Sequence, residues 1–327
     1  MRINLKNKEI LLTGGKGFLG SHVFRKLIEK GVPKDNITVT SSVTDDIRNK
    51  NICAGIVKGK DIVIHCAGKI GGIKYTLEHP AEVFYDNAAM ALNIIDESRK
   101  ANVQKLTFIG TACSYPQKIN LPYKEESLWS GYPDEINATY GLSKRLAIVL
   151  GQSYRQEYNL NSIHLLLANL YGIGDDFSLQ YSHVIPALIN KVIYAVQHKE
   201  KEIEVWGTGK ASREFLYVED AAEAIILATE RYNKKEPVNV GNGKEITIKE
   251  LIKLITELVG FKGSIKRDTS KPDGQTRRCL DVSKAKKEFG FEAKTNLLEG
   301  LKKTIEWYKL YLDNYYSEGY FIKKNDK

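Results

Sequence analysis

Short apolar runs alternate with longer amphipathic stretches through the first half of the chain. The short runs are typical of buried strands, and apolar residues at every third or fourth position predict helices. Predicted strands cover 10–12, 37–40, 62–64 and 106–109, and predicted helices end near 29 and span 80–101. Strands that alternate with helices favour a parallel sheet covered on both faces, with ligands at the carboxyl ends of its strands.

The pattern changes beyond about Leu170. A loop is predicted for 171–182, helices for 184–196 and 248–259, a short strand for 203–207 and a late strand of the main sheet for 237–240. We therefore predict an α/β protein with a Rossmann-type doubly wound parallel sheet and a smaller, discontinuous α/β substrate-binding lobe. The nucleotide-binding domain is expected over 1–169 with 213–241 returning to it, the lobe over 170–212 and 242–310, and a C-terminal tail over 311–327.

The composition limits the kinds of molecule that the protein is expected to bind. The 327-residue chain is 42% hydrophobic and 27% charged, with a net charge of +9 from lysines and arginines that are spread along it. No nucleic-acid module and no apolar run of membrane-spanning length is visible, so we expect neither partner. The four scattered cysteines form no CxxC pair, which argues against a metal site and suits the cytoplasm. The positive net charge suits an anionic small-molecule partner such as a nucleotide diphosphate.

A glycine-rich turn follows the first predicted strand and opens a helix. Gly14, Gly17 and Gly20 have the spacing GxxGxxG, which allows a tight turn and lets a pyrophosphate approach the helix N-terminus. The chain has no GK[ST] here, so the turn is not an ATPase phosphate loop. The predicted cofactor-binding residues of this turn are Gly14, Gly15, Lys16, Gly17, Phe18, Leu19 and Gly20.

The end of the second strand favours NADP over NAD. NAD enzymes usually place a carboxylate there to hold the ribose 2′-hydroxyl. This chain instead has Thr40, Ser41 and Ser42, and Lys16 offers a cation for a 2′-phosphate. We expect NADP(H) to be the cofactor, with Ser41 and Ser42 among its contacts.

A tyrosine and a lysine are placed for proton transfer. Tyr140 and Lys144 are four residues apart, so a helix presents them on one face. A nearby ammonium stabilises a phenolate and makes the phenol a more useful acid at neutral pH. Thr111 follows the fourth strand, where its hydroxyl can reach the same place.

The glycine turn, the post-strand hydroxyl and the Tyr/Lys pair, in that order, resemble the extended short-chain dehydrogenase/reductase family. Within it the chain resembles the GDP-L-fucose synthase family, at 67–73, 113–116, 169–172, 182–188, 205–207, 213–216 and 270–274. The resemblance implies that Tyr140 donates a proton, Lys144 holds the nicotinamide ribose and Thr111 binds the substrate carbonyl.

The resemblance also implies a substrate and further site residues. That family epimerises C3 and C5 of a GDP-linked 4-keto sugar and then reduces C4, with Cys113 and His183 as the expected acid/base pair. Implied cofactor contacts are Asp46, Ile47, Ala67, Lys144, Asn169 and His183, and implied substrate contacts are Lys191, Trp206, Arg213 and Asp273. Arg277 and Arg278 are further basic candidates. Helices near 81–100 and 139–158 would form the four-helix interface of a homodimer.

Two departures from the family pattern leave the sugar open. The chain has Thr111 and Ala112 before Cys113 where the family usually has two serines, and it has Lys74, Tyr75 and Thr76 where the family usually has an alanine-asparagine pair. The first alternative is a monofunctional C4 reductase of another GDP-keto-sugar, such as a GDP-heptose. The second is a non-catalytic NADP-sensing protein, which would have no use for Tyr140 as a proton donor.

Overall fold

The computed structural model describes residues 2–178, 181–271 and 273–317. The strands are β1 (Ile10–Thr13), β2 (Ile37–Val39), β3 (Ile62–His65), β4 (Lys105–Thr111), β5 (Ser162–Leu167), β6 (Asn169–Tyr171), β7 (Glu202–Trp206), β8 (Ser212–Tyr217), β9 (Val238–Val240), β10 (Glu245–Thr247) and β11 (Ser264–Asp268). The helices are α1 (Phe18–Glu29), α2 (Lys50–Val57), α3 (Ile73–Glu78), α4 (Pro80–Lys100), α5 (Ala138–Tyr158), α6 (Val184–Gln197), α7 (Val218–Arg231), α8 (Ile248–Val259), α9 (Ser283–Phe289) and α10 (Leu297–Ser317).

Six strands form the central sheet in the order β2-β1-β3-β4-β5-β9, and every neighbouring pair is parallel. All residues of β1, β3 and β5 are buried, as expected where helices cover both faces of a parallel sheet. The predicted late strand is β9, which pairs with β5 at the edge of this sheet. The prediction of a doubly wound parallel sheet is confirmed.

Two helical layers cover the central sheet. On one face α1 packs against α7, and their buried residues include Val23 and Ile225. On the other face α4 packs against α5 and α2, with Ile94 and Ala147 in the core beneath them. Within the described ranges, none of the helices has both the length and the apolar content needed to cross a bilayer.

The second core lies between two small sheets and three helices. The strand orders are β10-β8-β6 and β11-β7, and α6, α8 and α10 pack around them through residues such as Ile189, Ile252 and Ile305. Two expectations differ from what is found here. Tyr171 lies in β6 and not in a loop, and β8, expected to return to the nucleotide domain, pairs with β6 and β10. The return to the main sheet begins with α7.

The C-terminal helix runs into the segment that was expected to be a tail. Helix α10 continues to Ser317, so the first part of the expected tail is helical. The reason is an apolar stripe: Leu301, Ile305, Tyr308 and Leu312 all bury their side chains in the second core. Residues 318–327 of the expected tail lie outside the described residues.

A tight contact joins the end of β4 to the start of α5. A Cβ added at Gly141 would overlap the carbonyl oxygen of Cys113, so only glycine allows this approach. The Ser114 hydroxyl donates to the Gly141 carbonyl at 3.1 Å, and Arg145 Nε donates to the Ser114 carbonyl at 2.7 Å. Thr111 and Cys113 are thereby fixed against the helix that carries Tyr140 and Lys144.

Replacing Gly141 tests this contact. We expect Gly141→Ala to lower the free energy of unfolding by about 1–3 kcal/mol, because an added methyl in a closed contact forces the backbone to shift. Urea denaturation measures the change. Gly55→Ala in α2 is the matched control, since a Cβ there meets nothing within 4 Å. It should be neutral or stabilise by up to about 1 kcal/mol. Equal effects from the two substitutions would contradict the proposed contact.

Candidate active site

The glycine-rich turn forms a cradle that side chains would fill. Gly14 has φ +70°, and a Cβ there would lie 2.6 Å from the Ala67 amide nitrogen. A Cβ at Gly20 would overlap the Gly14 carbonyl oxygen. Helix α1 starts after Gly17, and none of the described side chains caps it. The first amides of α1, at Phe18 and Leu19, are therefore available to a pyrophosphate, which the cradle fits.

The loop after β2 contains a carboxylate that the sequence pattern did not indicate. Asp45 accepts hydrogen bonds from the Ser41 amide at 3.0 Å and from the Thr44 hydroxyl at 2.9 Å. It lies four residues beyond Ser41, too far along the chain to be read as the strand-end acid. The side chains of Lys16 and Ser42 are exposed beside the glycine turn and this loop. They remain available to a 2′-phosphate.

Asp46 is held in its ionised form. Arg48 donates to both Asp46 oxygens, at 2.7 Å from Nη2 to Oδ2 and 2.9 Å from Nε to Oδ1, and also pairs with Asp86. The Arg48 guanidinium holds the pKa of Asp46 below its usual range. Ile47 is only 4% exposed and packs in the core under α4, so a ligand can reach its main chain but not its side chain.

Tyr140 and Lys144 lie one turn apart on α5, as the spacing predicts. The Lys144 ammonium is 5.6 Å from the centre of the Tyr140 ring and 5.0 Å from that of Phe108. Burial lowers the pKa of Lys144 to about 8 and raises the pKa of Tyr140 above its ordinary value. A Cβ added at Gly68, just after Ala67, would lie 3.7 Å from the Lys144 nitrogen. The pair therefore lies beside the loop that follows β3.

Thr111 and Cys113 lie at the end of β4, next to Tyr140. The Thr111 hydroxyl oxygen accepts from the Cys113 amide at 3.1 Å, which leaves its hydrogen available to an incoming carbonyl. The Cys113 sulfur accepts a hydrogen bond from Nη1 of Arg278 at 3.1 Å. Burial is the main cause of the raised pKa of Tyr140, and the neighbouring Cys113 side chain adds to it.

His183 is the N-cap of α6 and is exposed. The Gly72 amide donates to the Tyr181 carbonyl at 2.6 Å, so the loop that leads to α3 packs against the segment before His183. The imidazole is accessible to water, but the surrounding protein lowers its pKa and Asp176 partly opposes this. His183 is therefore mainly neutral at pH 7.

Tyr75, one of the departures from the family pattern, contacts the same segment before His183. Its ring lies 5.3 Å from the Tyr181 ring in an edge-to-face contact, and the Lys69 ammonium is 5.9 Å from its centre. Both contacts depend on the aromatic ring of Tyr75. The identity of residue 75 therefore changes the shape of the loop that approaches His183.

The four predicted substrate residues form a connected set. Lys191 Nζ donates to the Glu204 carbonyl of β7 at 2.6 Å, and Trp206 ends that strand with 51% of its surface exposed. This exposure excludes simple core packing for Trp206. Asp273 accepts from the Thr208 hydroxyl at 2.6 Å, and its carbonyl accepts from Arg213 at 3.2 Å. Pro272, part of the motif that identified Asp273, lies outside the described residues.

Asn169, the remaining predicted cofactor contact, is on β6. Its side-chain amide donates to the Glu214 carbonyl of β8 at 2.9 Å. The residue therefore lies where the small sheet starts, directly after β5 of the central sheet. Burial lowers the pKa of Arg213, on the neighbouring β8, to about 10, although the guanidinium stays charged at neutral pH.

The fold and this constellation define a nucleotide-binding oxidoreductase of the short-chain type, and comparison with known proteins agrees. Residues 10–241 match the family described as the NAD dependent epimerase/dehydratase family. The chain belongs to this family. The resemblance to extended short-chain dehydrogenases found in the sequence is confirmed.

Particular relatives are GDP-L-fucose synthases. The chain is 38% identical to that of Sinorhizobium fredii, over 92% of this chain and 96% of the relative. It is 37% identical to a probable GDP-L-fucose synthase 1 of Oryza sativa subsp. japonica, over 93% and 92%. A GDP-mannoheptose C4 reductase from Campylobacter jejuni, solved with NADP bound, superposes with a TM-score of 0.85 at 27% identity, covering 94% of this chain and 100% of that one.

Substitution of Gly14 tests the cradle. We expect Gly14→Ala to weaken NADPH binding by at least about tenfold, because the methyl would force the turn away from Ala67 and displace the helix N-terminus. Fluorescence of bound NADPH measures the affinity. Gly59→Ala is the control, because Gly59 has φ +75° but open space around it. It carries the same backbone strain and should leave NADPH affinity unchanged; equal loss in both variants would count against the cradle.

Proposed function

We propose that this protein is an NADPH-dependent C4 reductase of a GDP-linked 4-keto sugar that first epimerises C3 and C5, as in GDP-L-fucose synthesis. The observation that carries the proposal is the convergence of Thr111, Cys113, Tyr140 and Lys144 at the end of β4, beside the loop that carries Ala67. The relatives support the substrate class, and the NADP-bound neighbour supports the cofactor. A sensing protein would need neither the proton donor nor the thiol.

Reduction at C4 uses the residues on β4 and α5. The hydride at C4 comes from NADPH when it is bound. The Thr111 hydroxyl donates to the C4 carbonyl oxygen and orients it, and Tyr140 transfers its phenolic proton to that oxygen as the alcohol forms. Lys144 stabilises the resulting phenolate while it remains an ammonium. The proton on Tyr140 is then restored from water.

Epimerisation uses Cys113 and His183. The hydrogens on C3 and C5 are acidic because each is next to the C4 ketone, and their removal moves the C–H electrons into an enolate at O4. A thiolate and a largely neutral imidazole can exchange such protons at neutral pH. Thr111 and Tyr140 already donate to O4, so the enolate needs no separate oxyanion site.

The sugar nucleotide is assigned to the second core and the cofactor to the central sheet. We place the diphosphate at Lys191 and Arg213, and the base or sugar against Trp206, with Asp273 holding Arg213 in place. This division follows the expected nucleotide domain, 1–169 with 213–241, and the lobe, 170–212 with 242–310. The position of β8 departs from it, and so does that of α9, which packs against α7 and β9 in the core of the central sheet.

Two further proposals concern assembly and location. Tyr85 and Leu92 on α4 and Val149 on α5 are 70%, 46% and 49% exposed, and these helices pack side by side. Such an apolar surface on a helix pair suits a two-fold four-helix interface, so we propose a homodimer. The four cysteines are free thiols, which suits the reducing cytoplasm.

A C4 reductase of a GDP-heptose is the second candidate. It is favoured by Tyr75, which alters the loop near His183, and by the Campylobacter jejuni neighbour. The two candidates share Thr111, Tyr140 and Lys144 and differ only in whether Cys113 and His183 act on the sugar. Proton exchange at C3 and C5 therefore separates them.

A single assay in deuterated water tests the function. The protein is mixed with NADPH and GDP-4-keto-6-deoxy-mannose, NADPH absorbance is followed, and the product is examined by proton NMR. We expect NADPH oxidation, deuterium at both C3 and C5, and a fucose-configured product. NADPH oxidation without deuterium would contradict epimerisation and favour the second candidate.

The variant Tyr140→Phe separates the two steps. It removes the proton donor for O4 but leaves Cys113 and His183 in place. We expect NADPH oxidation to fall by at least about a hundredfold while deuterium exchange persists and NADPH still binds. If neither the wild type nor the variant oxidises NADPH with any GDP-keto-sugar, the proposed function is wrong.

The pH dependence of turnover tests Lys144. Because burial lowers the pKa of Lys144 to about 8, the ammonium is lost as the pH rises through that value. We expect kcat for NADPH oxidation to fall on the alkaline side with a midpoint near 8. In Lys144→Arg the guanidinium stays charged, so the residual activity should extend to higher pH. An alkaline limb that does not move in Lys144→Arg would assign it to another group.

A further inference from the structure

Arg278 touches the sulfur of Cys113 from a buried position. Its guanidinium is 6% exposed, and Nη1 lies 3.1 Å from Cys113 Sγ. The other two nitrogens are both held by Gln275, whose Oε1 accepts from Nη2 at 2.7 Å and from Nε at 3.2 Å. Gln275 therefore fixes two of the three guanidinium nitrogens of Arg278, and the third, Nη1, is directed at the thiol.

Gln275 is itself anchored, so the arrangement exists without a substrate. It is 8% exposed, and its Nε2 donates to the Gln117 carbonyl at 3.3 Å and to the Tyr123 hydroxyl. The Tyr123 hydroxyl in turn donates to the Arg277 carbonyl at 3.0 Å. These contacts join the segment around Arg278 to the loop that follows β4, and Cys113 lies at the start of that loop.

The charge of Arg278 has no carboxylate to balance it. In the part of the chain that the structure describes, no Asp or Glu lies within ion-pair distance of its guanidinium, and Gln275 is neutral. The Arg278 guanidinium contacts Cys113 directly, and Tyr140 from α5 and Arg213 from β8 are close enough to interact with it electrostatically. Arg213 donates to the Ser212 and Asp273 carbonyls. A buried cation requires a counter-charge, and the group in contact with this one is the thiol.

We propose that Arg278 is a positioning residue that holds Cys113 as a thiolate for proton removal from the sugar. A thiolate beside a guanidinium is stabilised by charge and by a hydrogen bond. In the step it serves, the sulfur lone pair forms the S–H bond while the C–H bond at C3 or C5 breaks. The electrons of that bond pass to O4 as an enolate. The epimerisation role rests on the proposed function, but the state of the thiol does not.

The first experiment reads the thiolate without substrate or turnover. The full-length protein is alkylated with iodoacetamide over a range of pH, and the peptide containing Cys113 is quantified by mass spectrometry to separate it from the other cysteines. We expect the midpoint of the rate profile to move up by about one to three pH units in Arg278→Gln. Arg278→Lys keeps the positive charge and should stay near the wild type.

Arg277→Gln is the matched control. Arg277 is the neighbouring arginine, but it is exposed and paired with Glu245. Its replacement should leave the Cys113 profile unchanged. Bound NADPH and circular dichroism show that each variant is folded. If the Cys113 midpoint is the same in the wild type and a folded Arg278→Gln, the proposal is overturned, even if that variant binds substrate poorly.

A second readout separates this proposal from the proposed function. At neutral pH, deuterium incorporation at C3 and C5 should fall by about tenfold or more in Arg278→Gln, since the thiolate fraction falls with the shift. Reduction of the already epimerised keto-sugar should fall much less. If the wild type incorporates no deuterium but the alkylation midpoint still depends on Arg278, the epimerase function fails and the thiolate inference stands.

Discussion

The site depends on one steric constraint, the contact of Gly141 with the Cys113 carbonyl. Any side chain at position 141 would separate α5 from the end of β4. Because Tyr140 precedes this glycine and Lys144 follows it within one turn, the contact sets the distance from both to Thr111 and Cys113. The hydrogen bonds of Ser114 and Arg145 across the same junction fix the rotation of the helix as well as its distance. The backbone approach therefore orients four chemically active side chains at once.

Burial of positive charge is the second organising feature. Lys144, Arg213 and Arg278 all lie in or beside the site, and among the described residues none of the three forms an ion pair with a carboxylate; their contacts are with rings, carbonyls and an amide. Removing three cations from water without counter-ions is costly, and a bound nucleotide diphosphate or a thiolate relieves that cost. The net charge of the whole chain is a weaker guide than this local arrangement, because most of its lysines and arginines are solvated. These buried cations therefore favour the binding of an anionic ligand at this site.

The sequence predicts the features that are set locally. The strands β1 to β4, the glycine turn and the Tyr140/Lys144 pair follow from periodicity and spacing, since each depends on neighbouring residues. Tertiary pairing decides the rest. The sequence of β8 is that of a buried strand, and only its partners β6 and β10 place it in the small sheet. The contacts of Asp45 and Arg278 could not be predicted for the same reason. Asp45 accepts from the Ser41 amide only because the loop after β2 folds back on itself. Arg278 contacts Cys113, which is 165 residues away in the sequence.

The proposed C4 reduction and the proposed epimerisation at C3 and C5 use residues from different parts of the chain, so one activity can change without the other. The reduction set, Thr111, Tyr140 and Lys144, lies within one β4–α5 unit that the Gly141 contact holds together. Cys113 shares that unit, but its partners His183 and Arg278 come from α6 and from the segment after β11. In the proposed mechanism, proton exchange at C3 and C5 therefore needs His183 and Arg278 from outside this unit, whereas proton donation to O4 does not. A change beside the segment before His183, such as the tyrosine at position 75 in α3, can therefore alter or remove the proposed epimerisation while the reduction residues stay in place.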